Sequence, residues 1–169
     1  MVKLNLERLN TLSLYKVTYS EEYDDYRFVT DGGIVYSVGF EEDSILQSGE
    51  SYQFIIINLT NKKSPRDTKL RETVMELIYA FFDSNNSALL YICETGDGKQ
   101  GMRSRLFQYW YETASNKSHY IYITASLTDS DGIINHAALV LRTDNPDAEA
   151  ITSEFTASIR LLSEKPQDV

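Results

Sequence analysis

The residues best suited to chemistry concentrate in one stretch, Leu89–Trp110, which reads LLYICETGDGKQGMRSRLFQYW. An apolar run passes into a turn holding Glu94, Asp97, Gly98 and Lys99, then into an aromatic segment carrying Arg103 and Arg105. At 3.6 residues per turn, Met102, Leu106, Tyr109 and Trp110 share one helical face, and Arg103 falls at its edge. A guanidinium beside an aromatic stripe is costly unless it is paired or stacked. Glu94 and Asp97 are the nearest carboxylates along the chain. The spacing therefore predicts that Arg103 pairs or stacks and closes the turn onto the helix. It also predicts a helix start where Asp97, Gly98, Lys99 and Arg103 meet an anionic ligand. The alternative chemistry is enzymatic: a small hydrolase with Glu94 or Asp97 as general base and Arg103 as anion clamp.

A second basic segment holds Lys62, Lys63, Arg66, Lys69 and Arg71. It lies at the start of another predicted helix, and Arg66 and Lys69 join the candidate ligand-binding set. Cations at a helix N-terminus oppose the macrodipole, a cost that an arriving anion reverses.

Other patterns carry less. Gly96, Gly98 and Gly101 fit G-x-G-x-x-G, but Asp97 would place a carboxylate in the phosphate cradle, and no acidic residue stands at the ribose-binding offset. The pattern for a P-loop is incomplete, so no cofactor is expected. Cys93 ends an apolar run, a setting that raises a thiol pKa and makes it inert, so pairing with His119 or His136 as nucleophile and base is not favoured. His136 reads as a strand histidine with one satisfied nitrogen. Asp129, Asp131 and Gly132 echo a calcium loop without its remaining ligands, and no metal is expected. Glu21-Glu22, Asp24-Asp25 and Glu41-Glu42-Asp43 read as solvated turns.

The elements that must position these residues are legible in outline. Tyr26–Phe40 reads as a hairpin turning at Thr30-Asp31-Gly32-Gly33, with Ile34, Tyr36, Val38 and Phe40 on one face. An earlier strand over Tyr15–Tyr19 is expected. SYQFIIINL is apolar on both sides and reads as an interior strand. A helix follows, with Ser64 as N-cap, Pro65 at its first position, Asp67 in its first turn, and Leu70, Val74, Leu77, Ile78, Phe81 and Phe82 on one face. ALLYIC reads as a central strand, and a helix is expected from about Lys99 to Thr113. Two further strands around Tyr120–Leu127 and Ile133–Arg142 form a second hairpin. The last helix has the stripe Ile151, Phe155, Ile159 and Leu162. Hairpins at both ends with helical crossovers between them imply an α+β fold: a single mostly antiparallel sheet of about six or seven strands with three helices packed on it. One domain is expected over 1–169, its core roughly over 12–163.

The charge of −9 opposes binding to phosphate backbones, so no nucleic-acid partner is expected. One cysteine excludes an internal disulfide, and no apolar run approaches a bilayer span. The expectation is a cytoplasmic protein without a membrane partner. Abundant Tyr and Arg suit a recognition surface. The function expected is therefore a non-enzymatic binding or regulatory module recognising a partner protein or small anionic ligand through Glu94–Arg105. Tyrosine-rich strands that pair between protomers would make a homodimer.

YRFVTDGGIVYSVGF, DTKLRETVMELIYAFF, LLYICETGDGKQGMRSRLFQYWY and LVLRTDNP, taken in order, resemble a bacterial family, domain of unknown function family 6169. The most specific part is Cys93, Asp97-Gly98, Arg103, Phe107 and Trp110 in that order and spacing. Gly101 departs from the pattern, where alanine is expected. The resemblance runs from about Tyr26 to Phe155. It implies a compact bacterial domain, no established activity, and Asp97, Gly98 and Arg103 as the first places to look.

Overall fold

The computed structural model of the chain describes residues 1–93, 100–128 and 131–163, with the side chains of 93, 100–104, 106, 127, 162 and 163 outside the description. The elements in order are α1 (Leu6–Leu12), β1 (Thr18–Ser20), β2 (Asp25–Val29), β3 (Val35–Glu42), β4 (Ser51–Asn58), α2 (Thr68–Ser84), β5 (Ala88–Cys93), α3 (Gln100–Thr113), β6 (Tyr120–Thr128), β7 (Ile134–Arg142) and α4 (Ala148–Ser163). The strands form one seven-stranded sheet in the order β1-β2-β3-β4-β5-β7-β6. The fold is α+β, as expected, but the sheet is mixed. β4 and β5 run parallel, Ser51 opposite Ala88, because α2 is the crossover between them. β1–β2, β2–β3, β5–β7 and β6–β7 are antiparallel.

Four α-helices stand among the described residues rather than three. The addition is α1, seven residues long, in which Asn5 Oδ1 accepts from the Arg8 amide. Its leucines alternate with polar residues too briefly to register as a helical stripe. Leu4 and Leu9 are nonetheless buried.

The chain forms two compact units. The first joins residues 1–42 to 54–86. In it, β2 and β3 send Tyr26, Phe28, Tyr36, Val38 and Phe40 to one face, all buried. Phe81 of α2 stacks on Phe40 at 4.8 Å between ring centroids. Each such ring, taken from water, contributes about 1.5–3 kcal/mol. The hairpin turns at Gly33 with φ of +74°, a value that favours glycine. α2 starts later than the sequence suggests. Its N-cap is Asp67, not Ser64, and Asp67 Oδ1 accepts from the Leu70 amide. The other carboxylate oxygen takes the Tyr15 hydroxyl at 2.7 Å, a tertiary contact that fixes the helix start where Pro65 alone would have placed it earlier.

The second unit joins residues 43–53 to 87–169. Strand alternation sorts its two faces. Ala88, Leu90, Leu139 and Leu141 turn to one face and pack with Ile151 and Phe155 of α4. Leu89 and Tyr91 turn to the other, where Tyr91 stacks on Phe107 of α3 at 4.3 Å. The segment before β4 is gripped by carboxylates. Asp43 Oδ2 accepts from the Leu46 amide and the Ser51 hydroxyl, and Oδ1 from Gln53. Glu154 accepts from the amides of Gln47 and Ser48. Gly49 lies so close to α4 that an added Cβ would stand 2.7 Å from Ile151 Cδ1 and 3.0 Å from Asp147 Cβ, so a larger residue there would have to displace the buried Ile151 side chain.

Two of the expected solvated acids are therefore buried instead. Asp43 is 8% exposed, and Asp25 is 9% exposed, bound by Arg27 and the Ser37 hydroxyl. Position within an acidic run does not report on partners, and these two carboxylates find enough donors to offset burial.

Candidate functional site

The helix predicted over Lys99–Thr113 is α3, Gln100–Thr113, and its inner face is aromatic. Phe107 and Trp110 are fully buried. Trp110 meets Tyr120 edge-on at 5.3 Å, and Tyr111 stacks on Tyr122 at 4.9 Å. These contacts seat the helix on the β5–β7–β6 part of the sheet. Arg105, Gln108 and Glu112 remain exposed along its outer side.

Between that side and the open end of the β6–β7 hairpin lies a groove of about 330 Å³. Its helical wall is Gln108, Tyr111 and Glu112; its floor is Tyr122, Thr124, Ser126 and His136. The floor is polar because Thr124, Ser126 and His136 alternate onto this face, and Thr124 and Ser126 are exposed there. Gln108 Nε2 donates to Glu112 Oε1 at 2.9 Å, one helical turn on. Ser126 Oγ and His136 Nδ1 share a hydrogen bond of 3.1 Å. The expectation of a strand histidine with one satisfied nitrogen therefore matches the geometry.

Register adds one relation that spacing along the chain does not give. His136 is opposite Ser126 on one side and Cys93 on the other, a row across β6, β7 and β5. Cys93 and His136, weighed above as nucleophile and base, are thus backbone partners. The Cys93 side chain lies outside the described residues.

Of the candidate ligand-binding residues, Arg66 and Lys69 are described. Arg66 is exposed in the segment leading to α2. Lys69 Nζ is 2.8 Å from Asp31 Oδ2 and 5.7 Å above the Tyr15 ring. The hydrogen bond to Asp31 raises the Lys69 pKa and makes its ammonium part of an internal tie. Glu94, Asp97, Gly98 and Lys99 lie outside the described residues, as does the Arg103 side chain. The Arg103 pairing predicted from spacing therefore falls outside them too. Asp131 and Gly132, weighed above as part of a calcium loop, precede β7, and Gly132 has φ of +77°.

The groove can do two things chemically. It offers hydroxyls, an amide, an imidazole and a carboxylate around a stacked tyrosine pair, a surface for hydrogen-bonding a polypeptide or small polar ligand. Its Ser126–His136 contact is also a fragment of a nucleophile–base pair, which would need a third group to orient the imidazole. Glu112, the acid of the groove, accepts from Gln108 through one carboxylate oxygen. Among the described residues, no three His, Cys, Asp or Glu side chains are grouped to hold a metal ion. No described helix is long and apolar enough to cross a membrane.

The family model for a family of unknown function, DUF6169, matches residues 66–157. The chain belongs to DUF6169. The matched span of DUF6169 opens at Arg66 and runs from the start of α2 into α4, so every groove residue lies inside it. The Tyr26–Phe40 hairpin, part of the resemblance drawn from sequence, lies before the DUF6169 match. No curated protein and no solved structure matches the chain.

Proposed function

We propose that this DUF6169 member is a non-enzymatic binding or regulatory module, recognising a partner protein or a small anionic ligand. Its contact surface is the Glu94–Arg105 segment, the exposed side of α3 into which that segment leads, and the groove beyond. The observation that carries the reading is the groove itself. It is polar and open, it is walled by the helix that Arg103 and Arg105 belong to, and it lies wholly within the family span. Tyr111 and Tyr122 supply rigid, amphipathic contact area of the kind that anchors protein interfaces.

Affinity purification from the native host tests this, using the wild type, Arg103→Ala and Glu112→Ala side by side. A partner recovered with the wild type and lost from both variants, at unchanged melting temperature, is the expected result. Calorimetric titration with inorganic phosphate separates the anion arm: heat that disappears in Arg103→Ala assigns a small anion. Variants that melt as the wild type and keep every partner, with no phosphate heat, would remove the basis of the reading.

A further inference from the structure

We infer that a second copy of this chain pairs antiparallel with β6, about a twofold axis at Thr124. The inference does not depend on the groove's being a recognition site.

β6 ends the strand order, so among the described residues no strand lies on its outer side. It pairs with β7 over nine consecutive residues, Tyr120 opposite Arg142 through to Thr128 opposite Ile134, without a bulge. Between Tyr120 and Thr128 stands no charge, no proline and no glycine. Proteins normally blunt an edge with those residues or by keeping it short, because an open ladder recruits another chain. The opposite edge of this sheet shows the usual protection. β1 is three residues long, and Lys16, Glu21, Glu22 and Asp24 surround it. One edge is guarded, and among the described residues the other is an unbroken ladder of about 30 Å.

The composition of β6 selects its own copy as the occupant. Pairing about Thr124 sets Tyr122 opposite Ser126, Ile123 opposite Ala125, and Thr124 opposite itself. In these inner pairs large side chains meet small ones on both faces, the central pair joins two hydroxyls, and further out Ile121 falls opposite Leu127, an apolar pair. The net charge of −9 opposes self-association at a distance, yet no like charges meet along this seam. At physiological salt, charges beyond about 8 Å are screened.

The flanks also fit an added strand. The groove floored by Thr124 and Ser126 borders β6 on the α3 face. A second groove, about 510 Å³, borders it on the α4 face, between Ile123 and Thr152, Thr156 and Arg160. Side chains of an incoming strand point alternately to the two faces and would enter both.

Sedimentation velocity on the wild type, Thr124→Lys, Thr124→Glu and an equimolar mixture of the two variants tests the pairing. The expected outcome is a wild type of twice the monomer mass, each variant at monomer mass, and a mixture that returns to the dimer. Like charges at the axis repel; unlike charges restore the pair. A wild type that stays monomeric at high concentration overturns the inference, whether or not an extended peptide from another protein binds β6. So does a dimer that both variants retain. Circular dichroism identifies a variant that misfolds, and the other then decides alone.

Discussion

Asp43 shows how a single carboxylate can organise a segment of this chain. Burial by itself would raise its pKa, but hydrogen bonds from the Leu46 amide, Gln53, the Ile45 amide and Ser51 outweigh burial and lower it. A carboxylate with a depressed folded pKa stabilises the fold fully above its unfolded value of about 3.9, and the contribution fades as pH falls through the folded value. Asp43→Asn should cost about 2 kcal/mol at neutral pH, since a charged acceptor of several donors is lost. Thermal melts across the acid range check the sign. The wild type should lose stability below about pH 4, and the variant should lose less over the same window. An equal slope in both would mean that Asp43 is not the titrating grip. None of this was legible in Glu41-Glu42-Asp43. The run marks acidity, whereas the role comes from Ser51 and Gln53, which reach Asp43 only when the chain doubles back into β4.

At the scale of elements, periodicity carried the helices and alternation carried the strands, while the ends depended on tertiary partners. The apolar stripe of α2 is where the spacing put it, with Val74, Leu77, Ile78, Phe81 and Phe82 all buried. Its start was not, because Ser64-Pro65 has the local pattern of a cap while Asp67 has the partners. Asp67→Ala removes the acceptor for the Leu70 amide and for the Tyr15 hydroxyl together. The cap alone is worth about 1 kcal/mol. Urea denaturation should show at least that loss for Asp67→Ala and none resolvable for Ser64→Ala; the reverse ranking would restore the earlier helix start. The groove follows the same logic. The alternation of Tyr122, Thr124 and Ser126 is visible in the sequence, and a five-residue turn after Thr128 would have set Ser126 opposite His136. What the sequence did not reveal is that Thr124 and Ser126 stay exposed beside Gln108 and Glu112 of α3.

For the molecule as a whole, one sheet carries both hairpins and the strands that floor the groove. Its seven strands fall within the six or seven expected, but the parallel β4–β5 pair depends on where α2 returns the chain, and no local pattern encodes that. α1 escaped notice because its burial rests on Leu4 and Leu9 meeting a surface that only the fold creates. Arg103, the strongest chemical signal in the sequence, falls in the first turn of α3, the helix whose outer side walls the groove, which links the sequence reading to the surface proposed for binding. A photo-reactive amino acid installed in place of Gln108, compared with one in place of exposed Glu149 on α4, tests that link in the native host. The account predicts a covalent adduct with a polypeptide other than this chain from position 108, absent from position 149 and lost when Arg103→Ala is added. The same adducts from both positions, or none from 108, would contradict it.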